Sequence, residues 1–484
     1  MSAQKAVHFV GIGGVGMSWL ARLLLAEGWR VTGSDLNDSP LVRKIAAEGA
    51  TVTLGHRAEN LPAIVDLVVY TAAAKGDNPE IVAAQARGIR VLKRSELLGE
   101  LMAGKRGIAI AGTHGKTTTT ALTGIALAQA GLDPTVMVGG EVPEFGSTLR
   151  LGQSDLLVVE ADEYDATFLR LRPLVAVVTN IEPEHLDFYG SFDRVVAAFG
   201  QFLGSVPATG HVVVCLDDPV LAGLQSAQPV AVAGPPSPKY GPSGAELSPT
   251  VLNTQSLVTY GFHPLADWQA RQFTPNANGG SDFTITHHGQ PAGRLSLSVP
   301  GRHNVSNCLA AVAVAGLFGV NVATAAPALN AFLGVNRRFQ VLGEAGGVTV
   351  VDDYGHHPTE VRATLAAARA RFGARRIHCV FQPHTYSRTK LLLDQFRDAF
   401  ADADAITITE IYAAREEAVW GITGADLAAA LNHKRRGFCA TVDAAAADAL
   451  ERAQPGDVVI VMGAGDIYKA GHLVLDGLKA RYGA

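Results

Sequence analysis

Cysteine is scarce in this chain: four among 484 residues, Cys215, Cys308, Cys379 and Cys439, far apart and without paired spacing. That excludes a disulfide framework or a thiolate zinc site and fits reduced thiols in a cytoplasm. Aromatic residues make up only 7% of the chain, and the net charge of −5 carries no basic excess. A broad positive field is therefore absent, and nucleic acid is not an expected partner. No apolar run approaches the roughly 20 residues that cross a bilayer, so no membrane insertion is expected. The opening MSAQKAVHFVGIGG reaches a glycine turn too soon for a secretory signal. Hydrophobic residues make up 48% of the sequence, largely Ala, Val and Leu, as in an α/β protein with a large core.

The length suggests about three domains at roughly 150 residues each. Short apolar strands at Val7–Val10, Val31–Ser34 and Asp66–Thr71 alternate with helical stretches, beginning with Met17–Glu27. Such alternation indicates βαβ units and a parallel sheet. Ala103–Gly107 offers a polar hinge. Further strands are expected at Leu156–Glu160 and Val175–Thr179, with a helix after Ser191. GPPSPKYGPSGAELS, from Gly234, is loop-forming by composition. Alternating segments at Ser256–Phe262, Phe283–His287 and Arg294–Val299 are expected as antiparallel additions, followed by a helix over Asn304–Leu317. From Arg338 a doubly wound pattern returns, with strands at Val348–Val351, Arg376–Phe381, Ala405–Thr409 and Val458–Met462.

The strongest chemical signal is AIAGTHGKTTTT, from Ala109 to Thr120, between an apolar strand and a small-residue helix. Backbone amides from Gly112, Thr113, His114 and Gly115 to Lys116 can converge on phosphates at the helix N-terminus. Lys116 is placed to reach the terminal phosphates, Thr117 to ligate magnesium, and Thr118 lies beside them. The full eight-residue phosphate-loop pattern asks for glycine at position 110, where this chain has Ile110. Glu160 ends its strand where a second magnesium-ligating acid belongs.

An earlier cluster, Gly11, Gly13, Gly14 and Gly16, satisfies G-x-G-x-x-G between a strand and a helix, with Asp35 about twenty residues on. Alone it would argue for an NAD-dependent dehydrogenase. The helix N-terminus accepts any pyrophosphate, including that of a UDP-sugar, so the ligand stays open at this point. A nucleotide-gated switch that hydrolyses ATP to drive a partner is a third, non-enzymatic reading of the phosphate loop.

Further blocks follow in order: Glu160-Ala-Asp-Glu-Tyr-Asp165, Thr179-Asn-Ile-Glu-Pro-Glu-His-Leu-Asp187, Pro300-Gly-Arg-His-Asn304, Arg337-Arg-Phe, Asp352-Asp-Tyr-Gly-His-His-Pro-Thr-Glu360, Phe381-Gln-Pro-His-Thr-Tyr-Ser-Arg388 and Met462-Gly-Ala-Gly-Asp-Ile467. Together with the two glycine loops they resemble the Mur ligase family of peptidoglycan synthesis, across essentially the whole chain. The family's shortened G-T-x-G-K-T loop accounts for Ile110. The resemblance implies a Rossmann-like parallel sheet binding a UDP-substrate over 1–104, a central P-loop ATPase domain with added antiparallel strands over 105–335, and a Rossmann-like ligase domain over 336–484. It implies ATP and Mg2+ as cofactors, UDP-N-acetylmuramate and L-alanine as substrates, and a monomer or homodimer.

By the same resemblance, His185 contacts a second magnesium ion, and His303, Asn304, Arg338 and Asp352 hold ATP. Arg338 then steadies charge during transfer, with Arg337 as its neighbour or a salt-bridge partner. Gly11 to Gly16, Asp35 and Thr71 meet the UDP-substrate, and His356, His384 and Arg388 meet its muramoyl end or the amino acid. Tyr354 is a stacking candidate for adenine. Tyr164 stands where serine is commoner, and Glu-Tyr-Asp also occurs in a family member that recycles whole peptides.

Overall fold

The computed structural model describes residues 4–226, 230–232, 248–250, 256–414 and 416–483. The Pro- and Gly-rich segment from Gly234 lies outside the described residues, apart from Ser248 at the start of a short strand. Among the described residues, no helix is long and apolar enough to cross a membrane.

Among the described residues, three large sheets organise the chain, beside a two-stranded pairing of Val230–Val232 with Ser248–Thr250. In the first, the central strand Ala6–Val10 lies between Arg30–Asp35 and Leu67–Tyr70, with Thr51–Leu54 and Arg90–Lys93 at the edges, and all pairings are parallel. All five residues of the central strand are buried, as expected for a parallel strand covered on both faces.

The second sheet has ten strands. Arg106–Ala111 sits inside it between Val175–Val178 and Leu156–Glu160, parallel to both. The loops after these three strands therefore open on one carboxyl edge, where ligands gather in open α/β sheets. The antiparallel addition is made by Trp268–Pro275, Ser281–His287 and Gln290–Leu297. Ser256–Gly261, expected as antiparallel, instead pairs parallel with His211–Cys215 and with Trp268–Pro275. Its alternation reported a strand with unequal faces, and alternation carries no information about direction.

The third sheet is parallel except for its antiparallel edge strand Gln340–Ala345. Successive residues of Val348–Asp353 feed opposite faces: Val348 and Val350 join one apolar cluster and Val351 the other. One continuous core runs from Val7 to Val335, so the first two sheets share buried surface. The third has its own two clusters, beginning at Phe339. Between the cores, Arg337 and Phe339 take φ values of 62° and 51°, a region that side-chain-bearing residues seldom occupy.

Candidate active site

The phosphate loop needs its glycines. Gly112 has φ 134°, and a Cβ there would fall 2.0 Å from Thr179 Oγ1; Gly115, at φ 83°, would place one 2.4 Å from Asn307 Oδ1. The helix Lys116–Gln129 starts directly after Gly115 without a side-chain cap. Its first amides are left for a ligand. The loop is held from outside, where the Asn180 carboxamide accepts from the His114 amide at 2.8 Å and the Thr179 hydroxyl donates to His114 O at 2.6 Å.

Thr117 donates its hydroxyl to Glu160 Oε1 at 3.0 Å, and the other carboxylate oxygen accepts from the Gly139 amide at 2.7 Å. Adjacent ligands of an octahedral magnesium, at 2.0–2.1 Å from the metal, stand about 2.9 Å apart. The pair therefore fits that ion. Lys116 is half-buried against the buried Glu163, with Nζ to Oε2 2.8 Å, and also donates to the Gly112 carbonyl at 2.6 Å. Burial opposes its charge, but the carboxylates of Glu163, Asp162 and Glu160 hold the ammonium above its usual range. His185 adopts φ 53° and brings a ring nitrogen to 3.9 Å from Glu163. Asp162, Glu163 and His185 form one cluster whose ligand atoms lie within 4.8 Å of one another.

Beside the loop is a cavity of about 680 Å³, lined by His114, Gly115, Thr117, His303, Asn304 and Arg338 among others, a volume suited to a nucleotide-sized ligand. Asn304 donates to the Pro300 carbonyl at 2.7 Å, bracing the start of helix Arg302–Leu317. Arg338 extends to within 3.6 Å of Glu360. His114 bridges two carboxylates, Glu360 at 3.1 Å and Glu182 at 3.5 Å. Burial disfavours its charge, but Glu360 and Glu182 outweigh that and raise the imidazole to about 9.

Two residues expected at the nucleotide have protein partners of their own. Asp352, assigned to ATP from the sequence, is turned toward Arg337, with Nε to Oδ2 3.1 Å, and the next residue, Asp353, lines the cavity. Neighbouring residues on a strand face opposite ways, so one of two consecutive acids must point away. The guanidinium groups of Arg337 and Arg338 stand 5.0 and 5.1 Å from the Tyr354 ring centre.

The nine residues assigned to the UDP-substrate divide between two distant places. Gly11 to Gly16, Asp35 and Thr71 form the mouth of the first sheet, where helix Val15–Ala26 begins without a side-chain cap. Asp35 closes this turn itself: its carboxylate accepts from the amides of Gly13 at 2.8 Å and Asn37 at 3.1 Å. Thr71 packs against Gly11, where an added Cβ would meet its methyl at 2.7 Å. His356, His384 and Arg388 gather in the third domain. Arg388 is buried and paired with Glu184 of the central domain through Nε at 3.0 Å and Nη2 at 2.5 Å, and it donates to His384 Nδ1 at 2.9 Å. Burial and the Arg388 charge hold both histidines neutral, at about 4 for His356 and about 3 for His384. A second cavity of about 310 Å³ opens here, lined by Tyr164, His185, His384, Arg388 and Glu416.

Sequence reasoning missed the acids that partner these cations. Glu163, Glu184 and Glu360 all lie inside motifs already quoted, and their signal was only their adjacency to the basic residues' loops.

The central geometry, a lysine and a hydroxyl-carboxylate pair at the carboxyl edge of a three-domain α/β fold, is that of a phosphate-handling enzyme, and the comparisons give the class. The chain belongs to the Mur ligase family: residues 6–106 match the Mur ligase family catalytic domain, 110–236 the middle domain, and 337–465 the glutamate ligase domain. It is 45% identical to the UDP-N-acetylmuramate–L-alanine ligase of Sorangium cellulosum, over 99% of this chain and 96% of that one. Among solved structures it resembles the UDP-N-acetylmuramate-alanine ligase of Thermotoga maritima at 26% identity and TM-score 0.78, covering 98% of this chain and 99% of the other. It also resembles the murein peptide ligase of Psychrobacter arcticus, at 26% identity and TM-score 0.69, over 98% of each.

Proposed function

We propose that this chain is an ATP-dependent, ADP-forming ligase that adds L-alanine to the carboxylate of UDP-N-acetylmuramate, the first amino-acid addition in peptidoglycan precursor synthesis. The carrying observation is the full-length 45% identity to a ligase of that name, on a chain whose Lys116, Thr117 and Glu160 converge at one carboxyl edge.

A carboxylate is unreactive toward an amine because oxide is a very poor leaving group. Transfer of the γ-phosphoryl group makes an acyl phosphate; the alanine amine then attacks its carbonyl carbon, and a tetrahedral intermediate collapses to amide and phosphate. Such transfer is mainly positioning and charge neutralisation. Lys116 and the loop amides take the β- and γ-oxygens, with Gly112 through Thr118 shaping the cradle. Thr117 and Glu160 would hold magnesium and His185 a second ion, and these would supply further neutralisation of the phosphate oxygens. Arg338 steadies the transferring group from the third domain, and His303 and Asn304 line the nucleoside side. In our reading, Gly11 to Gly16 bind the UDP pyrophosphate with Asp35 fixing the loop, while His384 and His356 lie at the reacting end. We place the domain boundaries after residues 104 and 335 and the enzyme in the cytoplasm, as a monomer or homodimer.

Oxygen-18 placed in the substrate carboxylate should appear in the released phosphate, and release should need all three substrates. Unlabelled phosphate, or AMP with pyrophosphate, would overturn the acyl-phosphate route. A second reading, peptide recycling by the same chemistry, is favoured by Tyr164 at the rim of the smaller cavity and by the murein peptide ligase likeness. Assaying L-alanine against an L-alanyl peptide as the amine separates the two. The dehydrogenase reading gives way to the ligase one because the chain's full-length relatives are ligases.

A further inference from the structure

Two consecutive arginines stand at the entry to the third domain and are held differently. Arg337 is tied to its own domain: it donates to Asp352 Oδ2 at 3.1 Å and to the Gly463 carbonyl at 2.7 Å. Arg338 lines the larger cavity, and among the described residues its guanidinium donates no hydrogen bond to protein. Its ion-pair partner is Glu360, with Nη1 to Oε1 3.6 Å. That separation is longer than a hydrogen bond. Such a pair orients the guanidinium while its donors stay available to phosphate oxygens.

Glu360 is placed to hold that orientation. It is the third residue of helix Pro358–Phe372, and its Oε2 accepts from the amides of His356 at 2.9 Å and His357 at 3.2 Å. A glutamate cap is ordinary at this position, but it accounts for one oxygen only. The other, Oε1, meets Nδ1 of His114 in the phosphate loop at 3.1 Å as well as Arg338. With one oxygen fixed by backbone amides, the second is held between the loop and the arginine. The side chain is 13% exposed. An acid serving only as a cap would keep more of its hydration, because burying a charge is costly without partners.

We infer that Glu360 is a positioning residue for phosphoryl transfer: through Oε1 it sets the distance between the Arg338 guanidinium and the phosphate loop. The inference rests on the ligase reading above, in which Arg338 steadies the transferring group. His114, fastened to the same oxygen, carries the phosphate loop's side of that spacing. Positioning and charge neutralisation dominate this kind of transfer. A misplaced guanidinium therefore costs the transfer step more than it costs the binding of ATP. Glu360 acts through the arginine and takes up neither proton nor phosphoryl group itself.

E360Q is the test, because glutamine keeps an acceptor for the two cap amides and turns an uncharged NH2 group toward Arg338 and His114. Wild type is first assayed for phosphate release from ATP with UDP-N-acetylmuramate and L-alanine. E360Q should then lower kcat at least about tenfold while KM for ATP stays within about twofold. E360D keeps the charge and shortens the reach by one methylene, so it should lose less kcat, again with KM for ATP kept. It carries the comparison if E360Q folds poorly, as read by circular dichroism. In an R338A background, E360Q should cost less than about twofold more, since the group it orients is gone. Unchanged kcat in E360Q, a rise in KM for ATP with kcat kept, or an equal loss with and without Arg338 would each overturn the inference. An inactive wild type would sink the ligase reading instead, so the two failures are told apart.

Discussion

The turn at Gly11–Gly14 and the turn at Gly112–Gly115 follow buried strands interior to their sheets, and each leads into a helix whose first turn lacks a side-chain cap. Around the first, the nearest acid, Asp35, is tied to the turn's own backbone amides. Around the second, a lysine, a threonine and three acids converge, and the acid facing the half-buried Lys116 is itself buried. A glycine turn supplies only a cradle for an anion; whether it grips or reacts depends on the side chains brought in from neighbouring strands. In the proposed function, that difference separates a binding domain from a chemical one along a single chain.

The comparison breaks most sharply at Lys116. K116A should lower phosphate release by at least about 10²-fold while calorimetry finds UDP-sugar binding unchanged; substantial turnover in that variant would remove the distinction. Next comes the seam to the third domain. E184A leaves Arg388 buried without its partner, a loss of about 3–5 kcal/mol, to be read as a lower denaturation midpoint. A change within about 0.5 kcal/mol would mean that water enters this contact freely. At the first turn, D35A should raise KM for the UDP-substrate by up to about thirtyfold with kcat nearly kept, since two amides lose acceptors worth about 1 kcal/mol each. A fall in kcat alone would give Asp35 a part in the chemistry.

The smallest effect concerns Glu80, which is fully buried beneath the first sheet's loops. Burial raises its carboxyl pKa, but hydrogen bonds from His8, Ser34 and Asn60 outweigh this and lower it to about 2. The folded value lies below the unfolded one near 4.5, so this stabilisation is complete above pH 4.5 and is lost as pH falls toward 2. E80Q should flatten the pH dependence of thermal stability in that window. An identical slope in wild type and variant would assign the acid sensitivity elsewhere.

Much of the architecture was legible because buried parallel strands are written as short apolar runs: Leu156–Glu160, Ala405–Thr409 and Val458–Met462 have the same limits in sequence and structure. Trp268–Pro275 went unread because Gln272, directly after Arg271, breaks the alternation begun by Trp268, Gln269 and Ala270, and the sheet accommodates this with a register shift between Arg271 and Thr274. Lys116, Thr117 and Glu160 could be named because each occupies a fixed offset from a strand end. The choice between Asp352 and Asp353 could not, since strand phase relative to the cavity is a tertiary property. Nor could the pairing of Arg388 with Glu184, which are 204 positions apart.

In the proposed reaction, the ammonium of Lys116 meets arriving ATP already engaged. Glu163 occupies the place of an anion, so nucleotide entry is a substitution of one negative group for another, and the observed affinity reflects the difference between two ionic contacts. The displaced carboxylate, beside His185, then becomes an acceptor without its cation. Loading the nucleotide thereby rearranges charge at the neighbouring histidine before any bond is made.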